Sequence, residues 1–303
     1  HILPFSGLYF FIIIFSFIIF LHLFKNILNK IISFKMILFI AIIIYIYFCI
    51  PHSEKILFFL IYVYGVYWIY VKNKYQSTLL PMIIIALPMI LHKFDVSPIF
   101  KVIGISYITF RTIQAMVDSH NYGKLSFIEF TSFLLFPTTL LAGPIDRSYR
   151  FQEDLQKGYE NLTLSNIGKG WDILIVGVLF KFIFAEFVNK FWLSTIDENS
   201  IILLDMVNSA YAYTTYLFFD FAGYSAMAVG LSIMMGIFVP MNFNHPYLAP
   251  NPQDFWRRFH ITLGSWLTDY FFKPLYKYLH NFNILKGRRL LIQNLAIIAT
   301  FLL

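Results

Sequence analysis

Long apolar runs, at 7–24, 36–50, 56–71, 79–91, 171–193, 206–239 and 290–303, constrain this chain more than any other feature. Several approach the ~20 residues a helix needs to cross a bilayer. Of the 303 residues, 59% are hydrophobic and only 13% charged, about half the charge of a soluble domain. The expectation is an all-α, polytopic membrane protein. A net charge of +7 could indicate nucleic acid, but the Lys and Arg residues sit in short loops between apolar runs, the pattern that sets membrane topology. No nucleic-acid partner is expected. The single cysteine, Cys49, excludes an intrachain disulfide and a thiolate metal cluster.

The loop charges alternate. Lys25, Lys30 and Lys35, then Lys72 and Lys74, are positive, while 51–55 and 92–95 are nearly neutral. Positive loops stay in the cytoplasm, so the reading is a multi-pass protein of the cytoplasmic (inner) membrane with its N-terminus outside. No small-residue cleavage site follows 7–24, which disfavours a signal peptide. From 99 onward the runs carry polar residues. Arg111 within 104–118 is costly against lipid and should face protein or water. The stretch 127–141 is short, broken by Pro137 and followed by AGPIDRSYRF, which reads as a re-entrant element. Arg147, Arg150, Lys157 and Lys169 then mark a cytoplasmic segment, with Asp146 and Arg147 as a paired turn at the membrane boundary. The run 171–193 holds Lys181 and Glu186, with Asp197 and Glu198 on the outer side. The run 206–239 is too long for one crossing and contains DFAGYS (220–225), so two helices or one broken helix are expected there. Asp220 is a rare intramembrane carboxylate with either a functional or a pairing role. The chain starts at His1 and stops at Leu303 within an apolar run, and reads as a fragment truncated at its C-terminus. It divides into N-terminal membrane helices (1–98) and a core (99–303), treated as one membrane domain.

The stretch NPQDFWRRFHITLGSWLTDYFFKP (251–274) organises the rest. Asn251 can cap a helix, Pro252 suits its first turn, and Asp254 suits the positive end of the helix dipole. On one continuous helix, Arg258, Thr262, Ser265 and Asp269 form a polar stripe, and Trp256, His260, Leu263 and Leu267 share an otherwise apolar face. His260 there suits a core histidine bonded to a carbonyl as well as a functional one. No glycine-rich phosphate loop, Gly-x-Ser-x-Gly elbow or HExxH pair is present, and His245 and His260 lie far apart, so no metal site is expected. A histidine among aromatics can act as general base on a hydroxyl. A hydroxyl attacking a thioester needs little else, because a carrier brings the activated acyl group.

FWRRFHITLGSWLTDYFFKPL resembles the signature of the membrane-bound O-acyltransferase (MBOAT) family. Upstream, GISYITFRTIQ, LAGPIDRSYRF, YLFFDFAGYS and GIFVPMNFNHPYL are similar, in the same order, to the family branch that transfers D-alanyl groups to teichoic acids. Alginate and peptidoglycan O-acetylases are nearby branches. The resemblance spans 103–303. It implies an MBOAT-type ring of transmembrane and re-entrant helices around a channel, and transfer of an acyl group, favoured as D-alanyl, to a hydroxyl of an envelope polymer or lipid-linked intermediate. The donor is a phosphopantetheine thioester on a small acidic carrier protein at the cytoplasmic side, and no cofactor is bound. His260 falls at the motif histidine, the implied catalytic residue. A second, nearly invariant family histidine, the residue most often called the catalytic base, is expected beyond Leu303, so this piece alone is expected to be inactive. The family arginine before Asp269 is Thr268 here, Ser-Leu-Ser reads Thr262-Leu263-Gly264, and Phe259 replaces a tryptophan. Candidates to line the channel are Asp220, Tyr224, Asn242, Asn244, Trp256 and Ser265, although loop ordering suits the two asparagines and packing suits Trp256. Arg257, Arg258, Lys273 and Lys277 are candidates to receive the carrier, or else interfacial anchors. Two other readings are a transporter relaying charge through His260, Asp220 and Arg111, and a scaffold that only recruits the carrier.

Overall fold

The computed structural model describes residues 4–5, 7–73, 79–95, 102–196, 202–280 and 288–302. Lys74, Asp197 and Glu198, part of the loop charge pattern, lie outside the described residues. Among the described residues there is no strand, and the chain is all-α. It divides into two compact units, 1–240 and 241–303.

In the first unit the N-terminal apolar runs become α1 (Leu8–Ile31), α2 (Phe34–Cys49), α3 (Ser53–Asn73) and α4 (Leu79–Lys93). α5 (Ile105–Tyr122) and α6 (Phe127–Leu134) follow, then α7 (Ser148–Lys157). α2 packs on α6, and α3 and α4 pack on α5, so helices on either side of residue 98 belong to one unit. α6 has 8 residues, about 12 Å of helix against a hydrocarbon core of about 30 Å. It therefore cannot cross, in keeping with a re-entrant element.

A helix that stops inside the protein leaves its last carbonyls without partners. Arg111, 1% exposed, supplies them. Its guanidinium donates to the carbonyls of Phe133 (3.0 Å) and Leu134 (3.2 Å) at the end of α6, and to Thr139 (2.9 Å) and Pro144 (3.5 Å) beyond it. The arginine faces protein, as its cost in lipid requires. Asp146 and Arg147 meet at this turn through the Arg147 backbone, and Arg150 joins them. Asp146 Oδ1 accepts from the Arg147 backbone N–H (2.6 Å) and from Arg150 Nε (2.7 Å), and its other oxygen pairs with the same guanidinium. Burial pushes the Asp146 carboxyl up to about 6, with Arg150 pulling the other way.

α8 (Leu164–Val178) continues through a π-helical stretch (Leu179–Ala185) into α9 (Glu186–Phe191), so this helical run begins before the expected 171. α10 (Leu203–Met234) corrects a second expectation: it is one unbroken helix of 32 residues through DFAGYS. The glycines there serve close approach. A Cβ added to Gly223 would lie 2.5 Å from the Lys181 backbone nitrogen, and one on Gly177 would lie 2.7 Å from that of Met227. One turn pair further along, Gly170 and Gly230 meet each other's carbonyls in the same way, at 2.6 Å. Glycines seven residues apart on both helices thus let α8 and α10 touch backbone to backbone, the packing mode of membrane helices. Across this seam Lys181 in the π-helical stretch pairs with Asp220. α1 joins through side chains: Phe15 stacks on Trp171 at 5.2 Å, and His22 bonds the Met234 carbonyl at 3.0 Å. α1, α3 and α10 are long and apolar enough to span a membrane.

Candidate functional site

The expected start of the 251–274 helix forms as read. The Asn251 side chain accepts from Asp254 N–H at 2.8 Å, and Pro252 occupies the first turn of α11 (Pro252–Arg258). The expected continuity does not form. α11 ends in extended Phe259, and His260 takes a left-handed backbone conformation, φ 48° and ψ 51°, before α12 (Ile261–Leu267) begins. A π-helical stretch (Thr268–Phe272) then leads into α13 (Lys273–His280), and α14 (Arg289–Leu302) follows. The polar stripe of a continuous helix therefore does not exist. Arg258 lies before the corner, whereas Thr262 beyond it is buried at 4% exposure.

A left-handed residue other than glycine costs about 1–2 kcal/mol, and histidine is among the side chains that tolerate it best. Here the segment before α11 holds the corner in place. Asn242 is fully buried. Its carbonyl accepts from Ile261 N–H at 2.9 Å, and its side-chain oxygen accepts from Thr262 Oγ1 at 2.6 Å and Thr262 N–H at 3.3 Å. On the other side of the corner, Asn244 N–H donates to the Arg258 carbonyl at 3.0 Å. Residues 242–244 thus bridge both helix ends around His260. Phe259 is fixed between Phe243 (5.1 Å, edge-on) and Phe255 (5.3 Å, stacked). The half-buried His260 sits at a corner whose backbone its neighbours define by hydrogen bonds and ring packing.

The structure brings His260, Asn242, Asn244 and Arg258 together. Arg258 Nη2 pairs with Asp254 at 2.7 Å one turn earlier on α11, and Lys273 pairs with Asp269 at 2.8 Å. Arg257 and Lys277 are exposed, as is Trp256 at 57%, whose ring meets Phe255 edge-on. Ser265 Oγ donates to the Thr262 carbonyl at 2.9 Å and serves the first turn of α12. In the first unit Asp220 is engaged by Lys181, and the buried Tyr224 hydroxyl accepts from Ala142 N–H at 3.3 Å. Thr262 is the residue that periodicity placed wrongly. Its side-chain acceptor, Asn242, lies in an irregular proline-rich loop where no periodicity operates.

The sequence model of the membrane-bound O-acyltransferase family matches residues 27–287. The chain belongs to that family. Among its relatives, the MBOAT chain is 32% identical over 258 residues to a teichoic acid D-alanyltransferase of Streptococcus thermophilus, covering 78% of this chain and 62% of that protein. It is 40% identical over 183 residues to a teichoic acid D-alanyltransferase of Bacillus subtilis, covering 56% and 44%. A peptidoglycan O-acetyltransferase of Helicobacter pylori is 36% identical over 151 residues, covering 49% and 29%. The chain thus spans less than two thirds of the length of these curated relatives. The His260 corner falls within the family match, as do Asn242, Asn244 and Arg258.

Proposed function

We propose that this protein is a membrane O-acyltransferase that moves a D-alanyl group from a carrier-bound phosphopantetheine thioester to a hydroxyl of an envelope polymer or its lipid-linked intermediate. His260 is the general base. The imidazole takes the hydroxyl proton as the oxygen attacks the thioester carbonyl. The tetrahedral intermediate then expels the carrier thiolate, which the imidazolium protonates, so the C–S bond is exchanged for a C–O bond and the base is restored. General-base help of this kind is worth roughly 10²–10⁴-fold. The observation that carries the reading is the preset corner at His260. The chain accepts a left-handed histidine and a buried asparagine to hold the corner that carries this imidazole, and such local cost is a mark of functional sites. The D-alanyl donor is favoured over acetyl by the 40% identity to a teichoic acid D-alanyltransferase. Exposed Arg257 and Lys277 suit an acidic carrier on the cytoplasmic side of the inner membrane, with the N-terminus outside. Asn244, at the same corner, is the candidate to meet the acceptor.

The relay reading loses two members, because Arg111 is spent on four carbonyls and Asp220 on Lys181. Membrane vesicles containing the full-length protein, charged carrier and labelled D-alanine test the proposal. Label reaching the polymer, and lost in His260→Asn, is the expected result. Transfer of acetyl but not D-alanyl would move the protein to the O-acetylase reading. Carrier binding without transfer would leave a scaffold.

A further inference from the structure

The turn between α1 and α2 and the turn after α7 enclose a polar cavity of about 380 Å³, lined among others by Ser33, Lys35, Glu129, Lys157, Tyr159 and Glu160. Two cations and two carboxylates make the lining nearly neutral. Lys35 Nζ stands 3.7 Å from Glu129 Oε1, beyond hydrogen-bond reach, and its side chain is 45% exposed. The other Glu129 oxygen is taken by Ser126 N–H (2.9 Å) and Ser126 Oγ (2.8 Å) in a helix-capping box, which fixes the carboxylate.

The cavity is preformed. Tyr159 Oη donates to the Ile32 carbonyl at 3.2 Å, and Lys25 Nζ donates to that of Leu162 at 2.9 Å. Gly158, at φ +48°, brings its turn so close that an added Cβ would sit 2.5 Å from Phe34 Cβ. The two turns therefore cannot part without breaking several contacts. Along the same two helices runs an apolar groove of about 570 Å³, lined by residues such as Phe17, Phe20, Ile37, Leu38 and Phe48. Phe34 lines the cavity, and Ile37 and Leu38, one turn further along α2, line the groove. Both volumes lie in the range of roughly 300–1,000 Å³ usual for ligand sites.

We infer that this is a binding site for one phospholipid with a zwitterionic, primary-amine headgroup. Lys35 and Lys157 receive the phosphate, Glu129 and Glu160 receive the ammonium, and one acyl chain lies in the groove. Charge complementarity selects this occupant. A headgroup that is only anionic would meet two carboxylates unpaired, and a quaternary ammonium could not donate hydrogen bonds to them. The inference does not depend on the acyl-transfer reading.

The test uses the purified protein in nanodiscs of phosphatidylethanolamine, phosphatidylglycerol or phosphatidylcholine with identical acyl chains. Retained lipid is counted by native mass spectrometry. Phosphatidylethanolamine should be retained about tenfold over the other two, and Lys35→Ala or Lys157→Ala should each lower the retention of all three about tenfold, the worth of one charge-assisted contact to the phosphate they share. Glu160→Gln should abolish the preference over phosphatidylglycerol. Lys157 and Glu160 are exposed, so those two variants carry the test even if Lys35→Ala fails to fold. Equal retention of the three lipids, preference for phosphatidylglycerol, or variants that behave like the wild type would each overturn the site.

Discussion

α10 passes through Gly223 and Gly230 without a break, whereas the stretch from Pro252 to His280 breaks at a histidine with no glycine at the corner. In the first case the glycines are flat places on a helix, pressed against the backbone of α8. In the second the change of direction is held from outside the two helices: Asn242 binds the start of α12 through its side chain and its carbonyl, and Asn244 binds the end of α11 through its backbone N–H. The turn from α6 to α7 follows the second pattern, with Arg111 and Asp146 in the holding role. A seam is secured by leaving side chains out, and a corner by putting them in. Only a corner aims a functional group, which is why the acyl-transfer proposal rests there.

The largest effect expected is at the seam. Gly223→Leu puts a side chain where backbone already lies, and no folded protein should be recovered in detergent. A normal yield would show that α8 and α10 can separate. Next comes the corner itself. His260→Gly should cut transfer by roughly 10²–10⁴-fold. Stability should hold or rise by up to about 1 kcal/mol, because relief of the left-handed backbone (about 1–2 kcal/mol) exceeds the entropy glycine adds to the unfolded chain (about 0.5–1 kcal/mol). Transfer assays beside thermal melts check both halves. Activity and stability falling together would mean that His260 is a structural residue.

Asn242→Ala strands the Thr262 donors and should cost about 1–3 kcal/mol. Transfer should weaken in parallel, and Asn242→Asp, which keeps the acceptor, should recover part of both. The smallest effect concerns pH. Asp146 has its folded value raised to about 6, above the 3.9 of an unfolded aspartate. The folded state thus holds a proton that the unfolded state has lost, and this group's contribution to stability declines as pH rises from about 4 to 6. Melts at pH 4.5 and 7 should differ less in Asp146→Asn than in the wild type. An unchanged difference would assign the slope to other groups.

The helices, their membrane character and the start at Asn251 were legible because each depends on local signals: apolar length, a capping side chain and a proline. The short reach of α6 was legible from Pro137 and the run's length. The break at His260 was not. Residues 251–274 carry a helical period throughout, and the hydrogen bonds that override it come from Asn242, in a loop whose pairing no period announces. DFAGYS misled in the opposite sense, since a glycine between apolar residues fits a break and a close approach equally well. The signal that separates them is the matching spacing of Gly170 with Gly177 and Gly223 with Gly230, which has meaning only once the two segments are paired. Asp146 found a second partner one turn further on, Arg150, beside the backbone N–H of its neighbour Arg147.

The length of α10 has a mechanical consequence. Its 32 residues make a rod of about 48 Å, and even at a lean of 40°, the steep limit for such helices, it would span about 37 Å of depth against an oily slab of about 30 Å. Roughly 7 Å must therefore emerge. Gly223 and Gly230 clamp the second half of the rod to α8, and Trp192 Nε1–H holds Asn208 near its start at 2.9 Å, so the segment that stands clear of the slab carries its neighbours with it.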